Sequence, residues 1–98
     1  MALFTCIMDY EGGTYISQVK AVSVRAACMT WARKLDISQI EGLGAKGKLS
    51  LIDEMREESD HIVSINGVSN VWCVTALVRN KLVIVNFIQT APAESSTP

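Results

Sequence analysis

Residues alternate in side along Leu3 to Tyr10, with Phe4, Cys6, Met8 and Tyr10 on one face and Leu3, Thr5 and Ile7 on the other. A period of two marks an extended strand, because successive side chains point to opposite faces. Thr14 to Val22 repeats the pattern, with Tyr15, Val19 and Ala21 set against Gln18 and Lys20. Its polar side predicts an edge or half-exposed strand. Between the two lies Asp9-Tyr10-Glu11-Gly12-Gly13, where glycine reaches positive φ without a steric cost, so the pair reads as a hairpin.

After Ser23 the period changes. Val24, Ala27, Cys28, Trp31 and Leu35 fall at i, i+3, i+4, i+7 and i+11, one face of a helix. Ser23 suits its N-cap, and Arg33 and Lys34 fall in the last turn, where the helix dipole favours cations. Asp36 then caps a short turn through Ile37 and Ile40, and Gly42, Gly44 and Gly47 read as a loop. Ser50 reads as a second N-cap with Asp53 in a weak capping box, Leu51, Ile52 and Met55 facing inward, and an end near Ser59. A start one turn earlier, near Lys48, also fits. Strands return at His61 to Ile65, which runs into Asn66-Gly67, a two-residue hairpin signal. Val68 to Val78, irregular around Ser69-Asn70, a turn at Arg79-Asn80-Lys81, and Leu82 to Thr90 complete the order. The fold class is α+β: ββ-α-(short α)-βββ, one domain over residues 1–90, a five-stranded mostly antiparallel sheet with helices on one face. Residues 91–98, small, polar and proline-bearing, read as a disordered tail.

The last two strands are apolar on both sides. Trp72, Val74, Ala76 and Val78 alternate with Val71, Cys73 and Leu77, and Val83, Val85 and Phe87 alternate with Leu82, Ile84 and Ile88. Two short helices cover one face only, so a second apolar face needs a partner. A twofold homodimer is the expected solution, with Trp72, Val83, Val85 and Phe87 as its candidate interface. A sheet curled on itself, as in a small barrel, is the alternative.

Composition removes several functions. The chain has 98 residues, a formal net charge of −1 and a pI near 5.7, which provides no general attraction to nucleic acid or anionic membrane. Lys20, Arg25, Arg33 and Lys34 form no single stripe, although a dimer could gather some of them from two chains. Cys6, Cys28 and Cys73 are odd in number and widely spaced, without Cys-x-x-Cys, so they read as buried thiols in a reducing, cytoplasmic setting. Met1 to Met8 lacks the basic start and cleavage site of a signal peptide, and no run approaches the ~20 apolar residues of a membrane span.

Four constellations carry candidate chemistry. Gly42-Leu43-Gly44-Ala45-Lys46-Gly47 matches G-x-G-x-x-G, but no strand precedes it and no βαβ unit surrounds it. What survives is a candidate anion or ligand loop of Gly42, Gly44, Lys46 and Gly47. Asp53, Glu54, Glu57, Glu58, Asp60 and His61 form an acidic cluster whose Glu58-x-x-His61 is half of a di-metal pattern. With a single histidine in the chain, it reads as a solvated helix face. A Cys28–His61 pair would place its thiol on an inner helix face, where cysteines are inert packing, and no G-x-S-x-G elbow exists. No catalytic, metal or cofactor-binding residue is assigned, no cofactor is implied, and the balance leans away from an enzyme. Tyr10, Gly12, Gly13 and Tyr15 at the hairpin tip are the candidate protein-partner site.

The stretch Asp9 to Leu35, with its Gly-Gly-Thr-Tyr and Ala-rich helix, resembles the hairpin-then-helix core of HicB-type antitoxins over about a quarter of the chain. A further strand before the helix and a separate DNA-binding segment, usual in that family, are not visible. The resemblance implies a small bacterial regulatory or immunity-like role. The leading reading is a non-enzymatic, homodimeric protein-interaction module. The alternative is a small-ligand or anion-binding protein, with a site between Gly42–Lys48 and Asp53–His61.

Overall fold

The computed structural model describes residues 1–91. Strands β1 (Ala2–Tyr10) and β2 (Gly13–Ala21) are followed by helix α1 (Val24–Lys34), a single 3-10 turn (Ile37–Gln39) and helix α2 (Gly44–Glu58). Strands β3 (Val63–Ser64), β4 (Val71–Val78) and β5 (Lys81–Ala91) complete the chain. All five strands form one antiparallel sheet in the order β2-β1-β5-β4-β3. The N-terminal hairpin and the C-terminal meander are thus joined at β1 and β5, the chain's two ends in sequence but neighbours at the sheet centre. Ala91 belongs to β5, and the remainder of the expected tail, residues 92–98, lies outside the described residues.

Both helices pack on one face, α1 over β2, β1 and β5 and α2 over β4. Beneath them lie Phe4, Cys6, Met8, Val19, Val74, Ala76, Val78, Val83, Val85 and Phe87, all buried. Trp31 of α1 stands edge-on to Phe87 with ring centroids 5.9 Å apart, and its indole N–H has no hydrogen-bond partner among the described residues. Ser23 caps α1 by accepting from the Ala26 N–H at 3.1 Å. Asp36 caps the 3-10 turn, accepting from the Ser38 N–H at 3.0 Å.

The second helix differs from expectation. It starts at Gly44 rather than at Ser50, which lies inside it, so Gly44 and Gly47 are helical and only Gly42 remains in the preceding turn. The reason is a stripe of buried positions four residues apart, Leu43, Gly47, Leu51 and Met55. Gly47 belongs to that stripe because Leu43 lies over it: a Cβ there would meet Leu43 Cδ1 at 2.8 Å. Lys48 ties the two helices together by donating to the Leu35 carbonyl at 3.0 Å, one of the carbonyls that the end of α1 leaves unpaired.

The third strand also differs. Only Val63 and Ser64 pair with β4, opposite Cys73 and Trp72, and Asn66-Gly67 sits within a longer loop. The tight two-residue turns fall elsewhere. Glu11-Gly12 joins Tyr10 to Gly13 with φ of 48° and 82°, and Arg79-Asn80 joins Val78 to Lys81 with φ of 55° and 67°. Positive φ at both central positions is the type I′ geometry that matches strand twist.

Candidate functional site

The sheet's second face carries no helix. Ile7 and Ile16 are paired across β1 and β2, Leu77 and Leu82 across β4 and β5, and Val71 and Ile88 likewise. Ile84, Cys73 and Val63 fill in around them by the same parity. Ile16, Leu77 and Leu82 are 67%, 59% and 53% exposed. Polar groups are interspersed in this field, with Asn86 between Ile7 and Cys73 and Thr75 opposite Ile84. Gln18 donates to Thr5 at 3.0 Å and Thr5 to Thr90 at 3.1 Å on one side, and Thr14 donates to Asp9 at 2.7 Å on the other.

The candidate interface residues from the sequence lie on the opposite side. Val83, Val85 and Phe87 are 0% exposed beneath the helices, and Trp72 packs on Phe4 with centroids 6.1 Å apart. The correction has a simple cause. Both parities of β4 and β5 are apolar, so alternation alone defines two faces without saying which one the helices take. The open face belongs to the alternate residues.

At the hairpin tip the structure forms a cleft of about 520 Å³ lined by Tyr10, Glu11, Gly12, Gly13, Tyr15, Glu41, Gly42 and Lys81. All four candidate partner-site residues are here, joined by Gly42 from the glycine segment. Gly44, Lys46 and Gly47 are not part of it: Gly44 opens α2, Lys46 is exposed on its first turn, and Gly47 is buried against Leu43. Tyr10 contributes wall rather than a rim hydroxyl, since it is 4% exposed. The Tyr15 ring folds back over Gly13, where a Cβ would lie 2.5 Å from its hydroxyl oxygen. Lys81 donates to Glu11 at 2.9 Å across a sequence separation of 70. That hydrogen bond, then the carboxylate's charge, hold the Lys81 ammonium above the usual lysine range. Glu41 and Lys81 have no local sequence signal that would place them beside Tyr15.

The other constellations separate. Asp53 pairs with Arg56 at 3.0 Å and Asp60 with Arg25 at 2.6 Å, both exposed. Glu54 and Glu58 instead face a shallow 220 Å³ hollow beside Leu77 and Leu82. Among the described residues no group of three or more His, Cys, Asp or Glu side chains is placed to hold a metal ion. Cys28 is buried against Met55, with 3.5 Å between the sulfurs, whereas His61 is exposed. Burial pushes both the Cys6 and Cys28 thiols up to about 12, with a smaller push on Cys6 from Cys28 and on Cys28 from Glu58. Such thiols are not nucleophiles at neutral pH. Cys73 is half-buried on the open face. A groove of about 390 Å³ between the helices brings Arg25 and Arg33, two of the scattered basic residues, together with Arg56. Two of the three are already paired with aspartates. Among the described residues no helix is long and apolar enough to cross a membrane.

The chain matches no protein-family model, no curated protein and no solved structure. The fold is a five-stranded antiparallel α+β sheet with two helices, and its functional reading rests on the two surfaces described above.

Proposed function

We propose that this protein is a non-enzymatic interaction module that dimerises through its open sheet face and captures a protein partner at the hairpin-tip cleft. The uncovered apolar face carries the reading. Four strands at about 4.8 Å spacing over eight residues at about 3.3 Å project to roughly 500 Å². A corrugated surface exposes more than its projection, and a standard interface draws about 800 Å² from each partner. The face is mixed but mainly apolar: Ile7, Ile16, Val71, Leu77, Leu82, Ile84 and Ile88 surround Asn86 on the central strand, with Thr5, Asp9, Gln18 and Thr75 among them. A second copy is the proposed occupant: with a twofold axis in the plane of the face and perpendicular to the strands, the two ends of each strand exchange places between copies. Lys20, near one end of β2, then lies over the Asp9 end of the other copy, placing opposite charges together on both sides of the axis. The setting consistent with two buried, protonated thiols is a reducing, cytoplasmic one.

Native mass spectrometry tests it directly. The wild type is expected at twice 10.7 kDa. The Ile16→Glu/Leu82→Glu variant is expected as a folded monomer, because both side chains are more than half exposed in the single chain. A wild-type monomer at micromolar concentration, or a variant that stays dimeric, would overturn the dimer.

A further inference from the structure

The cleft at the hairpin tip has a charge and shape that specify its ligand more narrowly than "a partner". Three charged side chains line it, Glu11, Glu41 and Lys81. Lys81 is engaged by Glu11, so the one cation that lines the cleft among the described residues is already paired. None of the ion pairs among the described residues includes Glu41. The remaining charge is therefore one carboxylate, which disfavours an anionic ligand and favours a cation. Tyr15, whose ring lies over Gly13, lines the same cleft. Gly12 and Gly42 have nothing within 4 Å of where a Cβ would point, so the walls on those sides are bare backbone.

We propose that this cleft binds the guanidinium group of an arginine side chain presented by a protein partner. A guanidinium is planar, remains charged at every physiological pH, and pairs with a carboxylate through two parallel N–H donors. It also stacks on a tyrosine face, which a compact ammonium does less well. Glu41 supplies the carboxylate and Tyr15 the ring. The glycine walls leave room for the backbone on either side of the arginine, and the volume lies in the range of small-molecule sites. That the arginine belongs to a protein rests on the interaction-module reading; that the cleft holds a guanidinium does not.

The test uses the full chain, labelled with 15N, and N-acetyl-argininamide as the probe. Saturable shifts are expected at the Gly12, Gly13 and Gly42 amides, with half-saturation at about 1–10 mM, the range open to one side chain. Glu41→Gln is an exposed, near-isosteric change that keeps the fold, and it is expected to weaken binding about tenfold or more. N-acetyl-norleucinamide, of similar length without charge, is expected to give no saturable shift, and N-acetyl-lysinamide to bind several-fold more weakly than the arginine probe. Absence of saturation, equal affinity in Glu41→Gln, or shifts centred on the groove between α1 and α2 would overturn the assignment. Repeating the titration on Ile16→Glu/Leu82→Glu separates the two proposals. Binding there with loss of the dimer supports the cleft, and a wild-type dimer that ignores the probe sinks the cleft alone.

Discussion

Replacing Gly47 by alanine is expected to destabilise this protein, against the usual rule for a glycine inside a helix. In an open helix interior the change adds about 1 kcal/mol, because alanine loses less backbone entropy on folding. Here the new Cβ would lie 2.8 Å from Leu43 Cδ1 and 3.0 Å from its Cγ. Leu43 cannot retreat, since it is 0% exposed and shares its stripe with Leu51 and Met55, also 0% exposed. Overpacking a filled core costs about 1–3 kcal/mol. The difference is a net loss of about 1 kcal/mol, or about 4–8 °C in melting temperature for a domain of this size. Urea unfolding followed by circular dichroism reads it as a lower midpoint at an unchanged slope. A double-mutant cycle isolates the cause. Leu43→Ala alone costs about 2–5 kcal/mol, and in that background Gly47→Ala should stabilise by about 1 kcal/mol, a coupling of about 2 kcal/mol. A stabilising Gly47→Ala in the wild-type background, or the same effect in both backgrounds, would refute the close approach and return this segment to a loose glycine loop.

Two serines distinguish a cap from its imitation: Ser23→Ala should cost about 1 kcal/mol in urea unfolding because Ser23 accepts from the Ala26 N–H, whereas Ser50→Ala, inside α2, should stay within about 0.5 kcal/mol. At pH 8 a thiol reagent should modify Cys73 in the monomeric Ile16→Glu/Leu82→Glu variant well before Cys6 and Cys28, which react only when the chain unfolds, and more slowly in the wild type, where the proposed dimer covers the open face; prompt modification of all three in the variant would contradict the burial of Cys6 and Cys28. Stability should also fall as pH rises from about 9 towards about 12, because over that window the unfolded thiols lose protons that the folded Cys6 and Cys28 retain. Denaturation midpoints measured in that range on the wild type and on a Cys6→Ala/Cys28→Ala variant check it, and equal slopes for the two would remove the thiols as the cause.

Local pattern was enough wherever the deciding interaction is itself local. Ser23 and the apolar face from Val24 to Leu35 predict α1, since a cap and a helical stripe involve residues within a few turns. Alternation predicts β1, β2, β4 and β5, and Asp36 predicts the 3-10 turn. The start of α2 was hidden because Gly44 and Gly47 look like helix breakers, and only Leu43 packed over Gly47 explains why the second glycine belongs in the helix. Asn66-Gly67 is a strong turn signal that its surroundings override, with β3 reduced to two paired residues.

The candidate site divides in the same way. Tyr10, Gly12, Gly13 and Tyr15 were legible because a hairpin tip is contiguous in the chain. Glu41 and Lys81 were not, because they reach the cleft only after β5 pairs beside β1 and the helix connection folds over the tip. The residues of the open face were legible as apolar, yet their side of the sheet was not. By itself the sequence determined the element order, the first helix and the existence of two apolar sheet faces, since each follows from neighbours and a fixed period. The tertiary structure alone decided the strand order β2-β1-β5-β4-β3, the face that the helices cover and the Glu11–Lys81 pair. Those depend on contacts between residues tens of positions apart, whose free energy comes from packing and leaves no local trace.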